Sequence, residues 1–196
     1  RYTEYFLYIV IQTMERLELT LEQKDWLDTI LLPVLKVSKI KKTAGRTNSG
    51  VGMTECFGYG SRRGRTDDYY KANTNKPEVF ELLVLLGSEI VPKDIPFTCI
   101  QLNKNYQSKP HRDKNNIGKS MTLSLGEFSG GELNVDGINF QTKHSPIIFN
   151  AGEQLHYNLP IIGERYSVTY FVGTFSKSNT RTALDVNQEL VSFCFK

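Results

Sequence analysis

The 196-residue sequence predicts an α+β protein, with helices in its first half and a β-sandwich or open barrel in its second. Three observations lead there. Helical periodicity with start and stop signals is confined to the front of the chain. From Pro96 onward, seven short β-prone segments follow at close intervals. Turn signals at Gly130-Gly131, Asp136-Gly137 and Ala151-Gly152 separate several of them. A chain of this length can bury a sizeable core in one domain. With 39% hydrophobic and 23% charged residues it is not a disordered tract. The expected organisation is one domain over 1–196, with helical support and a basic loop region in 1–95 and the strand core in 96–196.

The run "YFLYIVI" (5–11) fits helix or strand equally, because periodicity does not separate them. "TLEQKDWLDTILLP" opens with a capping box, Thr20 with Gln23 three residues on. Leu27, Ile30 and Leu31 follow at helical spacing, and Pro33 is expected to break or end the helix. Residues 43–76 read as a long loop, because "TAGRTNSGVG" and "GYGSRRGRTDD" concentrate glycine and arginine. "NKPEVFELLVLLG" predicts a second helix, with Pro77 in its first turn and Gly87 at its stop. The expected strands are "FTCIQLN", "SMTLSLG", "GELNVDG", "INFQT", "PIIFN", "QLHYNLP" and "RYSVTYFVG". Helices over one sheet of such a strand set bury its apolar face.

Charge is uneven. Between Lys36 and Arg65 there are eight basic residues (Lys36, Lys39, Lys41, Lys42, Arg46, Arg62, Arg63, Arg65) against one acid, Glu55. A local field of that kind draws polyanions. Arg62, Arg63 and Arg65 sit with the aromatic residues Phe57, Tyr59, Tyr69 and Tyr70, which suggests a nucleic-acid surface of phosphate contacts and stacking rings. Cys56, Cys99 and Cys194 form no CxxC, so a disulfide framework or zinc ribbon is not expected. A reducing intracellular compartment is the expectation. The longest apolar run is too short to span a bilayer, and no membrane association is expected.

The chemistry-bearing residues begin at "KPHRDKNNIGKS" (109–120). On an extended segment His111 and Asp113 point to one side, and Pro110 favours an extended residue before it. His156, in "GEQLHYNLP", comes after several intervening strands. Two histidines and a carboxylate with open positions form the facial triad of non-haem Fe(II) sites. In "ERYSVTYFVG", Arg165, Ser167 and Thr169 share one strand face, and Tyr166, Val168, Tyr170 and Val172 share the other. A buried arginine needs an anion, and a ligand carboxylate, held by two parallel hydrogen bonds, suits it.

H-x-D, a distant histidine and R-x-S nine residues beyond it resemble the Fe(II)/2-oxoglutarate-dependent dioxygenases. "LHYNLPIIGERYSVTYF" is similar to their C-terminal signature, and the resemblance covers about 97–175. It implies a double-stranded β-helix, or jelly roll, with flanking helices. It also implies Fe(2+), 2-oxoglutarate and O2 as cofactors, with His111, Asp113 and His156 on iron and Arg165 and Ser167 on the distal carboxylate. Asn103, with Asn105 and Tyr106 behind it, is the implied polar contact on the strand before H-x-D. "HRDKNNIGKSMTLSLGEFSGGEL" resembles the branch containing the TET and J-binding-protein oxygenases, which oxidise the methyl group of 5-methylcytosine or thymine in DNA. Phe171 stands where the AlkB branch usually carries a second arginine, and the cysteine-rich zinc region of the animal TET proteins is missing. The other implied reading is a prolyl- or lysyl-type protein hydroxylase, or a small-molecule hydroxylase, on the same scaffold. Substrate contacts are expected at Arg112, Asn116, Asn158, Arg62, Arg63 and Arg65, with Tyr157 also beside the iron. His144 reads as an exposed turn residue.

Overall fold

The structure, a computed structural model, describes residues 14–41, 50–61, 67–176 and 179–195. The run 5–11, Lys42, Arg46, Arg62, Arg63 and Arg65 lie outside the described residues.

Helix α1 (Leu21–Trp26) starts at the expected capping box. Thr20 Oγ1 accepts from the Gln23 N–H (3.1 Å), and Gln23 Oε1 accepts from the Thr20 N–H (2.9 Å). The helix does not stop at Pro33. It passes through a π turn (Leu27–Leu31) into α2 (Leu32–Val37). Leu32 N–H bonds back to the Leu27 carbonyl, and this widened turn makes room ahead of a residue that lacks an N–H and crowds the preceding turn. Leu27, Leu31 and Leu35 are fully buried along one stripe.

Part of the expected 43–76 loop is strand and helix. β2 (Gly50–Gly60) lies in the main sheet, followed by the short β3 (Asp68–Tyr69) and α3 (Lys71–Asn75). The glycines that disguise β2 sit where backbones meet. A Cβ at Gly58 would stand 2.2 Å from the Thr98 carbonyl oxygen, and one at Gly52 would stand 2.5 Å from the Tyr106 Cα. Helix α4 (Pro77–Ile90) carries Pro77 at its start as expected but runs past Gly87. Gly87 is there for packing: a Cβ would lie 2.5 Å from Tyr170 Cε1 and 2.7 Å from Phe97 Cζ.

All seven expected strands are present: β4 (Cys99–Ser108), β5 (Asn116–Gly130), β6 (Leu133–Val135), β7 (Ile138–Phe140), β8 (Ile147–Phe149), β9 (His156–Asn158) and β10 (Ile161–Gly173). With β1 (Glu15–Arg16) they form a seven-stranded sheet ordered β1-β8-β5-β10-β4-β2-β3 and a three-stranded sheet ordered β7-β6-β9. Because β1, β2 and β3 belong to the sheet, the front of the chain is not merely helical support. Helix α5 (Ala183–Ser192), unannounced by any motif read in the sequence, buries Val186 and Leu190.

Strand alternation sorts the large sheet into two faces. Met121, Leu123 and Leu125 of β5, Ile100 and Leu102 of β4, and Tyr166, Val168 and Tyr170 of β10 join the helices in the main core. A second cluster (Leu133, Val135, Ile147, Phe149, Ala151) lies with the small sheet. Phe57 (0% exposed) and Tyr59 (9%) belong to the main core, so they are not part of a stacking surface. Among the described residues, no helix is long and apolar enough to cross a membrane.

Candidate metal centre

A cavity of ≈ 550 Å³ is lined by residues of both sheets, including His111, Asp113, His156, Asn103, Arg165 and Ser167. His111 lies just beyond β4 and forms a two-hydrogen-bond bridge with His156, the first residue of β9. Each backbone N–H donates to the other's carbonyl at 3.0 Å. That bridge brings together histidines 45 positions apart. Asp113 is fixed by its own N–H donating to Ala151 O (2.8 Å), and its carbonyl accepts the Asn116 N–H (2.8 Å), which closes the turn into β5.

The ligand atoms converge. Asp113 Oδ1 lies 3.6 Å from His111 Nε2, Asp113 Oδ2 lies 3.5 Å from His156 Nε2, and one donor atom from each residue falls within 4.8 Å of the others. Both imidazoles are oriented from behind. His111 Nδ1 is 2.6 Å from Lys109 O, and His156 Nδ1 is 2.9 Å from Gln154 O. A carbonyl only accepts, so Nδ1 of each ring carries a proton and Nε2 is the nitrogen turned toward Asp113. Phe149 packs its ring against His156 at 5.1 Å, and the two imidazole centroids are 4.3 Å apart. Two imidazoles and one carboxylate, with space beyond them, suit Fe(II) in a facial triad.

Arg165 and Ser167 face the same cavity and are 5% and 6% exposed. Arg165 Nη2 donates to Thr142 Oγ1 (3.3 Å), the guanidinium lies 5.6 Å from the centre of the Phe128 ring, and Nε has no hydrogen-bond partner among the described residues. Burial pulls its pKa down to about 10, and Glu132 offsets this in part. A buried cation with an unused donor fits a dicarboxylate. Asn103 Nδ2 donates to Ser167 Oγ (3.3 Å) from the adjacent strand, with Ser167 opposite Asn103 in register.

Asn105 does not join them. Between Val51 and Met53 of β2 the register slips, so Asn105 and Tyr106 together oppose Gly52. Asn105 takes φ 46° and turns outward, where its amide bonds Gly163 O (3.1 Å) and the Arg165 N–H (2.7 Å). Tyr106 turns inward to the cavity wall. Arg112, Lys114, Asn115 and Asn116 line its edge, and Arg112 Nε is anchored on Glu153 O (2.8 Å). Asn158 borders the cavity, but its side-chain Oδ1 accepts both Ser108 N–H (2.8 Å) and Ser108 Oγ–H (2.6 Å), which ties β9 to β4. His144 is half-buried in a left-handed turn and contacts Asp28 Oδ1 at 2.8 Å. Thr142 and Phe149 went unread in the sequence. Only the face-by-face alternation of "PIIFN" could have picked out Phe149.

No protein-family model matches this sequence, and no curated protein matches it. Solved structures do. The chain is similar to NgTET1 in complex with 5mC DNA (TM-score 0.62, 16% identity, 85% of this chain and 74% of that one). It is also similar to an oxidoreductase of the 2OG-Fe(II) oxygenase family from Burkholderia pseudomallei (TM-score 0.58, 17% identity, 91% and 94%). A Pseudomonas putida prolyl-4-hydroxylase follows (TM-score 0.50, 18% identity, 84% and 97%). The architecture is therefore the jelly roll of the 2OG-Fe(II) oxygenases.

Proposed function

We infer that the protein is an Fe(II)- and 2-oxoglutarate-dependent dioxygenase that hydroxylates the methyl group of a pyrimidine, 5-methylcytosine or thymine, in DNA. One observation carries the enzymatic reading. Two Nε2 nitrogens and a carboxylate meet in a cavity that also holds a buried arginine with an unused donor. The cofactors bring the oxidising power: with O2, 2-oxoglutarate becomes succinate and CO2 while a substrate C–H becomes C–OH.

The chain's residues bind, orient and shield. His111 and His156 hold the metal through nitrogens whose tautomer is set from the backbone. Asp113 offsets part of the divalent charge. Arg165 and Ser167 take the distal carboxylate, and its charge compensates the guanidinium that burial now penalises. Asn103 steadies Ser167 from the neighbouring strand.

Support for a DNA substrate comes from the cavity edge and from the likeness to NgTET1. Arg112 and Lys114 are exposed beside the metal ligands, with Lys109 and Lys119 exposed nearby. They offer phosphate contacts at the place where a flipped base would enter. The arginines Arg62, Arg63 and Arg65 belong to the same reading by their charge.

Duplex DNA containing 5-methylcytosine or thymine, incubated with the protein, Fe(II) and 2-oxoglutarate in air, should yield base hydroxylation by mass spectrometry. DNA affinity should fall steeply with salt. A salt slope near zero, or oxygen insertion into proline- or lysine-containing peptides with none into bases, would overturn the DNA reading.

A further inference from the structure

We propose that Asp136, remote in sequence from every ligand, is a positioning residue for His156 and acts through Gln154. The proposal rests on the iron reading of His111, Asp113 and His156.

Asp136 and Gly137 form the two-residue loop between β6 and β7, with φ of 48° and 91°. That is the geometry of a type I′ hairpin turn, which Asp-Gly and Asn-Gly favour. The turn alone leaves the carboxylate free to face solvent. Here both of its oxygens are committed to the segment leading into His156. Oδ1 accepts the Leu155 N–H (2.9 Å) and Oδ2 accepts Gln154 Nε2–H (3.1 Å), while the Asp136 N–H donates to Leu155 O (2.8 Å).

Gln154 is 8% exposed and is held at both ends of its amide. Its Nε2 donates to Asp136, and its Oε1 accepts the Asn150 N–H (2.8 Å). The carbonyl of this clamped residue receives His156 Nδ1–H (2.9 Å). Asp136 thus clamps the side chain of Gln154, the clamp fixes the place of the Gln154 backbone carbonyl, and that carbonyl aims Nε2 at Asp113. Val135, the neighbour of Asp136, pairs with His156 across β6 and β9, so the turn cannot shift without moving the ligand. Partners behind a ligating histidine fix its tautomer and raise its basicity.

Polarity gives the test. Asp136→Asn keeps the turn, since asparagine suits it, but it places an amide N–H against Gln154 Nε2–H. Rotating the glutamine amide only moves the donor–donor clash to Asn150. D136N combined with Q154E reverses both partners and restores the hydrogen bonds to Leu155 and Asn150 and the one between the two side chains. Glu153→Gln removes a neighbouring exposed charge without touching the relay.

Co2+ affinity by calorimetry, with the d–d spectrum of the bound ion, reads the outcome. The expected loss in D136N is about 10–100-fold with an altered spectrum, recovered in the double variant and absent in E153Q. D136N binding Co2+ within about twofold of the parent would overturn the proposal, as would a double variant no better than D136N. Should D136N fail to fold, the double variant decides alone, and long-range 15N–1H spectra of the unaltered chain check the contact between His156 Nδ1 and Gln154 O on which the clamp acts. They should show His156 protonated at Nδ1, and protonation at Nε2 would refute the relay. A parent that takes up no Co2+ would overturn the iron reading itself.

Discussion

At residue scale, the guanidinium of Arg165 is the least comfortable group in the cavity. It is nine-tenths or more buried, its Nε lacks a partner among the described residues, and burial lowers its pKa to about 10. A buried cation without an anion costs stability. Arg165→Met should therefore leave the unliganded protein as stable or more stable, with a Tm gain of about 2–4 °C per kcal/mol recovered. The same variant should lose the thermal stabilisation that 2-oxoglutarate gives the parent. A Tm lowered without ligand, or an unchanged response to 2-oxoglutarate, would contradict this. Arg165, Ser167, His111 and Asp113 were legible because period-two alternation and i, i+2 spacing are local rules. Asn105 was not legible. One bulge opposite Gly52 reverses the face it would otherwise share with Asn103, and the sequence carries no local mark of that slip.

At the scale of elements, glycine and proline were the misleading signals. Gly50, Gly52, Gly58 and Gly60 suggested a loop, yet β2 pairs with β4 along most of its length, and at Gly50, Gly52 and Gly58 the neighbouring backbone leaves no room for a side chain. Pro33 suggested a helix end, but a π turn absorbs it. Gly87 suggested a stop, but it admits the rings of Tyr170 and Phe97 against α4. These reasons are tertiary, so propensity could not supply them. Gly87→Ala separates the readings. At an exposed helix site it would stabilise by about 1 kcal/mol. Here the crowding predicts a loss of about 1–3 kcal/mol, seen as a lower urea midpoint with unchanged m-value. A higher midpoint would refute the packing explanation. By contrast, the seven strands of the second half were all legible, because their short β-prone runs are set off at several boundaries by turn dipeptides.

At the scale of the whole molecule, the helices take one face of the large sheet and leave the other for polar chemistry facing the small sheet. His111, Asp113 and His156 share that interior with Arg165, so on the proposed reading a metal and a dicarboxylate bound together should reinforce each other, and reciprocally. The most direct measurement is 2-oxoglutarate affinity by calorimetry with and without Mn2+ under anaerobic conditions, for the parent and for His156→Ala. Binding should tighten with Mn2+ by on the order of 100-fold in the parent and not in the variant. Equal affinity with and without the metal, or an undiminished effect of Mn2+ in His156→Ala, would contradict the claim that these side chains build one metal and co-substrate site.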